Sequence, residues 1–237
     1  MSNIALLIAG GSGNRMGQNI PKQFLTVNER PVIIYTLEAF QKHPEIDEIA
    51  VVCIEGWQSV LQAYANQFNI TKLKYIIPGG LNGQDSIRNG VYELKKNHKD
   101  DDIVLIHDAI RPLTSAEIIS DCIRVTKENG CAISVIPCAE AMMQTEDGES
   151  SIGSYDRNKL KRTQTPQGFY LGKICDLHKR ALEEGITNSV ASCTLMIELG
   201  EQVHFSMGSE KNIKLTTVED IDIFKALLLA KRSDWLK

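Results

Sequence analysis

Four short segments hold most of the residues that could do chemistry. The first is Ala9-Gly10-Gly11-Ser12-Gly13-Asn14-Arg15-Met16-Gly17, which follows an apolar run and leads to Pro21-Lys22-Gln23. Small residues after a strand let backbone N–H groups approach phosphate oxygens without steric conflict. Arg15 and Lys22 are long cations suited to a triphosphate and to the charge that develops on it. An ordinary tight turn would use the same glycines, but the cations and Pro-Lys-Gln tip the balance toward nucleotide. Two competing phosphate loops fail: a Walker A loop needs Gly-Lys-Ser/Thr, and the dinucleotide fingerprint needs Gly or Ala where Met16 stands.

The second segment is Ile106-His107-Asp108-Ala109-Ile110-Arg111-Pro112. Ligands of open α/β sheets bind at the carboxyl ends of strands. There Asp108 could hold a hydrated Mg²⁺ or orient a substrate hydroxyl, and Arg111 could bind a phosphate. Asp108 and Arg111 are equally suited to pairing with each other. His107 reads as a packed, hydrogen-bonded histidine and not as a base. The third segment runs from Arg157 through Lys159, Lys161 and Arg162 to Thr165-Pro166-Gln167, and the fourth is Asn212-Ile213-Lys214 with Thr216-Thr217. His43, His98, His178 and His204 have no partner spacing and are expected on surfaces. Met142-Met143 suits a core or an interface.

These segments need a scaffold, and the apolar runs supply one. Ile4–Ala9, Ile49–Ile54, Tyr75–Ile77, Ile103–Ile106 and Ala132–Ile136 are apolar throughout and do not alternate, as in a parallel sheet covered on both faces. Amphipathic helical patterns lie between them, at Pro31–Phe40, Gly56–Gln67, Asp85–Lys95 and Ser115–Asn129. Ser115 with Glu117 suits a helix start. Further helices are expected at Leu171–Glu184, Ser192–Leu199 and from about Val218 to Lys231, with a strand at Gln202–Met207. Strand and helix alternating at this spacing predict an α/β fold with a doubly wound, mostly parallel sheet. From Gln144 to Lys161 the pattern breaks: the stretch is polar, turns at Glu146-Asp147-Gly148-Glu149, and has no core of its own.

The 237 residues, 43% hydrophobic, suffice for one sizeable core and exclude a stapled mini-protein or a disordered chain. Lys and Arg number 26 against 30 Asp and Glu, for a net charge of -4, which disfavours bulk nucleic-acid binding. The six cysteines form no CxxC pair and read as small buried hydrophobes in a reducing compartment. No secretory n-region or membrane-length apolar run is visible, so a cytoplasmic protein without membrane contact is expected.

Taken together, the four segments, in order across nearly the whole chain, resemble the polyol-phosphate cytidylyltransferases. That resemblance implies a homodimer of Rossmann-like subunits whose single nucleotidyltransferase domain, residues 1–237, extends residues 144–161 as a β-arm toward the partner. It implies CTP and a polyol phosphate as substrates and Mg²⁺ as cofactor. By motif match, Ala9, Gly10, Gly11, Ser12, Gly13, Gly80, Ser86 and Asp108 belong to the CTP pocket, with Asp108 also the metal contact. Arg15, Lys22 and Lys214 are the implied catalytic cations. Arg111, Arg157 (reaching the neighbouring subunit's site), Thr165 and Thr187 surround the acceptor.

The acceptor half departs from the family pattern. Glu140-Ala141 replaces an Asp-Thr pair, Val190-Ala191 stands where Thr-Asp is usual, and Leu81 replaces an acidic residue. Thr187-Asn188 could substitute if the loop is shifted. A site built for hydroxyls loses affinity when their partners are missing. These changes argue against simple identity with the methylerythritol enzyme and fit a relative acting on another alditol or sugar phosphate. Ribitol 5-phosphate is the leading named candidate, although that enzyme type usually carries the replaced residues too. The methylerythritol activity and an inactive nucleotide-binding relative are the alternatives.

Overall fold

A computed structural model of the chain describes residues 1–11 and 20–230. Its centre is a seven-stranded sheet in the order β11-β7-β10-β6-β1-β4-β5. The expected apolar runs are the strands β1 (Asn3–Ala9), β4 (Glu48–Cys53), β5 (Leu73–Pro78), β6 (Ile103–Asp108) and β7 (Cys131–Pro137). A short β11 (Phe205–Met207) runs parallel to β7 at the edge. Between β1 and β7 lie a two-residue hairpin, β2 (Thr26–Val27) with β3 (Arg30–Pro31), and the helices α1 (Val32–Lys42), α2 (Gln58–Gln67), α3 (Gly83–Lys95) and α4 (Ala116–Asn129).

Alternate side chains of one strand enter two different cores, which is why the strands read as continuous apolar runs. Ala5 and Leu7 of β1 pack with Ile33, Leu37 and Leu61 from α1 and α2, whereas Ile4 and Leu6 pack with Val91 and Leu94 of α3. On this second face lie α5 (Leu171–Glu183) and α6 (Ser192–Glu198). A third, smaller cluster seats α7 (Val218–Ala230) through Phe224 against Val32 and Leu215. Ser115 caps α4 by accepting from the Ile118 N–H, as its sequence position suggested.

One central strand was not expected. β10 (Lys161–Tyr170) lies between β6 and β7 and is antiparallel to both. Its sequence alternates polar residues around Pro166, which masks it as a strand. The ladder to β7 shifts register between Thr163 and Gln167, around that proline, so the missing N–H falls at an irregularity. The polar excursion forms a protruding hairpin, β8 (Met142–Gln144) with β9 (Gly153–Tyr155). Asp147 closes its turn by accepting from the Ser150 and Glu149 backbone N–H groups and from Thr145.

The surface placement of the histidines needs correcting: His43 and His178 are 3% and 1% exposed. His43 bonds Ala116 O and Ser120 Oγ, while α5 turns His178 inward.

Candidate functional site

β4 and β5 lie on one side of β1 and β6 on the other, so the chain reverses direction across the sheet between β1 and β6. That switch point leaves a crevice at the carboxyl ends of both strands. Ala9, Gly10 and Gly11 leave β1 there, and Asp108 ends β6.

The residues around the crevice are held by side-chain amides. Pro21 starts a 3-10 turn, Lys22–Phe24, that brings Lys22 to the rim. Gln23, 1% exposed, donates from Nε2 to Ala9 O at 2.8 Å and Gly11 O at 3.1 Å, tying the turn to the glycine loop. Opposite, Asn82 caps α3 by accepting from the Asp85 N–H, and the Gly80 N–H donates to Ser86 Oγ at 3.0 Å. A Cβ on Gly80 would stand 2.8 Å from Ser86 N, so that close turn accepts no side chain.

Two cavities open from the crevice. The first, about 470 Å³, is lined by Gly10, Gly11, Lys22, Gly80, Ser86 and Lys214, with Asp108 at its floor. The second, about 360 Å³, is lined by Arg111, Thr165, Gln167, Val190, Ala191 and Ser192. Asp108 and Lys214 line both.

Asp108 is the electrostatic centre. Its carboxylate meets Lys214 Nζ at 3.1 Å through Oδ1 and Arg111 Nε at 3.0 Å through Oδ2. Burial disfavours the charged form, but the Lys214 and Arg111 cations outweigh it and hold the carboxyl below the usual range. The neighbouring His107 is fully buried, and burial pushes its imidazole down to about 3, so it is neutral at ordinary pH. Thr165 Oγ1 lies 3.0 Å from His107 Nδ1 and accepts from the Asp108 N–H; Thr114 Oγ1 lies 3.0 Å from Nε2. His107 is therefore a structural pin, as its sequence context suggested.

The chain thus brings Ala9, Gly10, Gly11, Lys22, Gly80, Ser86, Asp108, Arg111, Thr165 and Lys214 around one crevice. Asp108 and Arg111 do pair, with Arg111 still facing the second cavity. Ser12, Gly13 and Arg15 lie outside the described residues. Arg157 is exposed at the base of the hairpin, where it donates to Ala139 O, and does not line either cavity of its own chain. Thr187 is exposed and contributes its carbonyl to Asn82, while Val190, Ala191 and Ser192 line the second cavity. Three amides were given no role by sequence reasoning: Gln23 and Asn212 were named only as members of their segments, and Gln84 was not singled out. Gln23 sits beside the singled-out Lys22. Asn212 donates to Thr165 O and accepts from Thr114 and Arg111. Gln84 bonds the segment before α6. A buried amide leaves no mark in composition, and only its place beside a cation or glycine turn could have signalled it.

No group of three or more His, Cys, Asp or Glu is gathered for a metal among the described residues. The single carboxylate of Asp108 at the crevice still fits Mg²⁺, which binds through one or two carboxylates plus substrate phosphates and keeps several waters.

A family model described as 2-C-methyl-D-erythritol 4-phosphate cytidylyltransferase matches residues 3–230. A ribitol-5-phosphate cytidylyltransferase of Lacticaseibacillus paracasei is 43% identical over 96% of this chain and 98% of its own. One from Vibrio parahaemolyticus is 40% identical over 95% of both chains. A 2-C-methyl-D-erythritol 4-phosphate cytidylyltransferase of Clostridium botulinum is 37% identical over 95% of this chain and 97% of its own. Among solved structures, a 4-diphosphocytidyl-2C-methyl-D-erythritol synthase superposes with a TM-score of 0.79 at 25% identity, covering 96% and 99% of the two chains.

Proposed function

The chain belongs to the 2-C-methyl-D-erythritol 4-phosphate cytidylyltransferase family, and from that premise we propose that it transfers CMP from CTP to ribitol 5-phosphate. The observation that carries this reading is the Asp108–Lys214 pair, which lines both cavities and so marks where two substrates meet. The first cavity takes the nucleotide, its phosphates against Gly10, Gly11 and Lys22. The second takes the polyol phosphate, with Arg111 and Thr165 toward its phosphate end. Within the family, ribitol 5-phosphate is supported over methylerythritol 4-phosphate by the Lacticaseibacillus and Vibrio relatives, the more similar of the two named groups.

A phosphate monoester is already anionic at neutral pH, so the attacking oxygen needs no general base. It attacks the α-phosphorus in line; one P–O bond forms as the bond to the bridging oxygen of pyrophosphate breaks. Catalysis then rests on positioning and on neutralising charge around the α-phosphate. Lys22 and Lys214, which both line the first cavity, supply fixed positive charge, and Arg15 is proposed to join them. Asp108 keeps Lys214 and Arg111 oriented. Mg²⁺ would be held by Asp108 together with the nucleotide phosphates and would neutralise charge on the leaving pyrophosphate.

The exposed hairpin is proposed as a dimerisation arm on the single domain. Met142, Met143, Ile152 and Tyr155 on it are all open to solvent, an apolar set that a partner subunit would cover. Arg157 would then enter the partner's acceptor cavity. The test is pyrophosphate release from CTP with Mg²⁺, comparing ribitol 5-phosphate with methylerythritol 4-phosphate and other alditol phosphates. Preference for ribitol 5-phosphate is expected; preference for methylerythritol 4-phosphate, or no release with any acceptor, refutes the assignment.

A further inference from the structure

Gln84 lies in neither large cavity, yet its buried amide spans the ground between them. It is 3% exposed, in the first turn of α3. Its Nε2 donates to Ile186 O at 2.7 Å, and its Oε1 accepts from the Ser189 N–H at 2.7 Å. Two residues earlier, Asn82 works the same way: Oδ1 caps α3 through Asp85 N, while Nδ2 donates to Thr187 O at 3.1 Å. The two amides therefore hold three backbone groups of segment 186–189, which runs directly into Val190, Ala191 and Ser192, the wall of the second cavity. Gly80, Leu81, Asn82 and Gly83, at the start of the same helix, line the first cavity.

We propose that Gln84 is a positioning residue through which nucleotide in the first cavity fixes the polyol-binding wall of the second. This inference rests on the assignment of the two cavities given above. A nucleotide packed against Gly80–Gly83 restrains the first turn of α3. Gln84 passes that restraint to Ile186 and Ser189, and the acceptor meets a wall already in place. Segment 186–191 has no regular secondary structure to hold its shape, so side-chain bonds from α3 matter more here than they would along a strand. Because coupling between sites is reciprocal, bound acceptor should tighten CTP binding by the same factor.

The test compares wild type with Gln84→Leu and Gln84→Glu. Leucine removes both bonds at similar volume, whereas glutamate keeps an oxygen for the Ser189 N–H and loses the donor to Ile186 O. Gln84→Leu is expected to raise the acceptor KM roughly tenfold, the scale of one lost buried hydrogen bond. Its kcat and its CTP dissociation constant without acceptor should stay within about twofold, while its CTP KM at saturating acceptor rises by the same factor as the acceptor KM, and Gln84→Glu should fall between. Hydrogen exchange over 186–191, with and without CTP, needs no turnover: CTP should slow exchange in wild type and not in Gln84→Leu. An unchanged acceptor KM, or equal slowing by CTP in both proteins, overturns the proposal. An equal weakening of CTP binding in the absence of acceptor, together with a lower Tm, does too, because that marks a merely structural role. Wild type that turns over no polyol phosphate but shows the expected exchange pattern refutes the acceptor assignment and leaves the coupling standing.

Discussion

Asp108 touches two cations through separate carboxylate oxygens, yet only one of those cations, Lys214, lines the first cavity. That asymmetry separates their work. Arg111 is 8% exposed and also donates to Asn212 O at 2.7 Å, so it is locked into the frame. Lys214 is part-exposed on a side chain reaching over both cavities, so its loss removes charge from the reaction without opening the core. Removing one preorganised donor of this kind costs roughly 3–4 kcal/mol of barrier. Lys214→Ala and Lys22→Ala should each lower kcat about 10²–10³-fold. Asp108 keeps its bond from Arg111 when Lys214 is lost, so Lys214→Ala should stay folded with only a modest fall in Tm. Turnover assays and thermal melts on the same preparations check both statements, and near-normal kcat in either variant removes that lysine from the catalytic set.

At the scale of elements, the hairpin and β10 carry the departures from a regular doubly wound sheet. The hairpin's tip is closed by its own Asp147 bonds, and its Ile152 and Met143 are left exposed by the described residues. If Arg157 acts across a dimer, lesions in different chains complement each other. A heterodimer of Arg157→Ala and Lys214→Ala chains keeps one site with both groups intact. Co-expression in equal amounts gives half heterodimers, each with one working site of two, so about a quarter of wild-type activity should return. No recovery, from two variants each inactive alone, would place Arg157 in its own chain's site. The parallel strands and their helices were legible because both faces of each strand are buried, as Ile4 and Ala5 of β1 illustrate. β10 was not: its Thr163, Gln164 and Thr165 face the site, and Pro166 interrupts the pattern. The glycine turn, Lys22, Asp108 and Lys214 were legible as charged or conformationally special residues beside strand ends. Gln23, Gln84 and Asn212 were not, because neutral amides act through partners distant in sequence, 102 residues from Gln84 to Ile186.

Across the whole molecule, two fully packed histidines tie stability to pH. Burial pushes His107 down to about 3, the nearby Asp108 charge opposing that shift and the Arg111 cation adding to it. Burial also pushes His178 down to about 4, with Arg88 adding to the shift and Asp85 opposing it. Neither ring nitrogen of His178 has a hydrogen-bond partner among the described residues, so its charged form has nothing to compensate desolvation. An unfolded histidine takes up a proton near pH 6.5, while the folded ones remain neutral. The unfolded state then binds more protons as pH falls below about 6.5, and the fold loses stability until the folded pKa is reached. Asp108 has the opposite form: its pairing stabilises the fold above the ordinary carboxyl range and is lost only at lower pH. Between pH 7 and pH 5 the decline therefore belongs to the histidines. For His178 the difference accumulated by pH 5 is about 2 kcal/mol, at about 1.4 kcal/mol for each pH unit below 6.5. His178→Leu should consequently gain stability relative to wild type by that amount on going from pH 7 to pH 5, whatever its offset at pH 7. Denaturant unfolding of both proteins at the two pH values reads the difference directly, and parallel pH profiles would mean that His178 accepts a proton in the folded chain as readily as in the unfolded one.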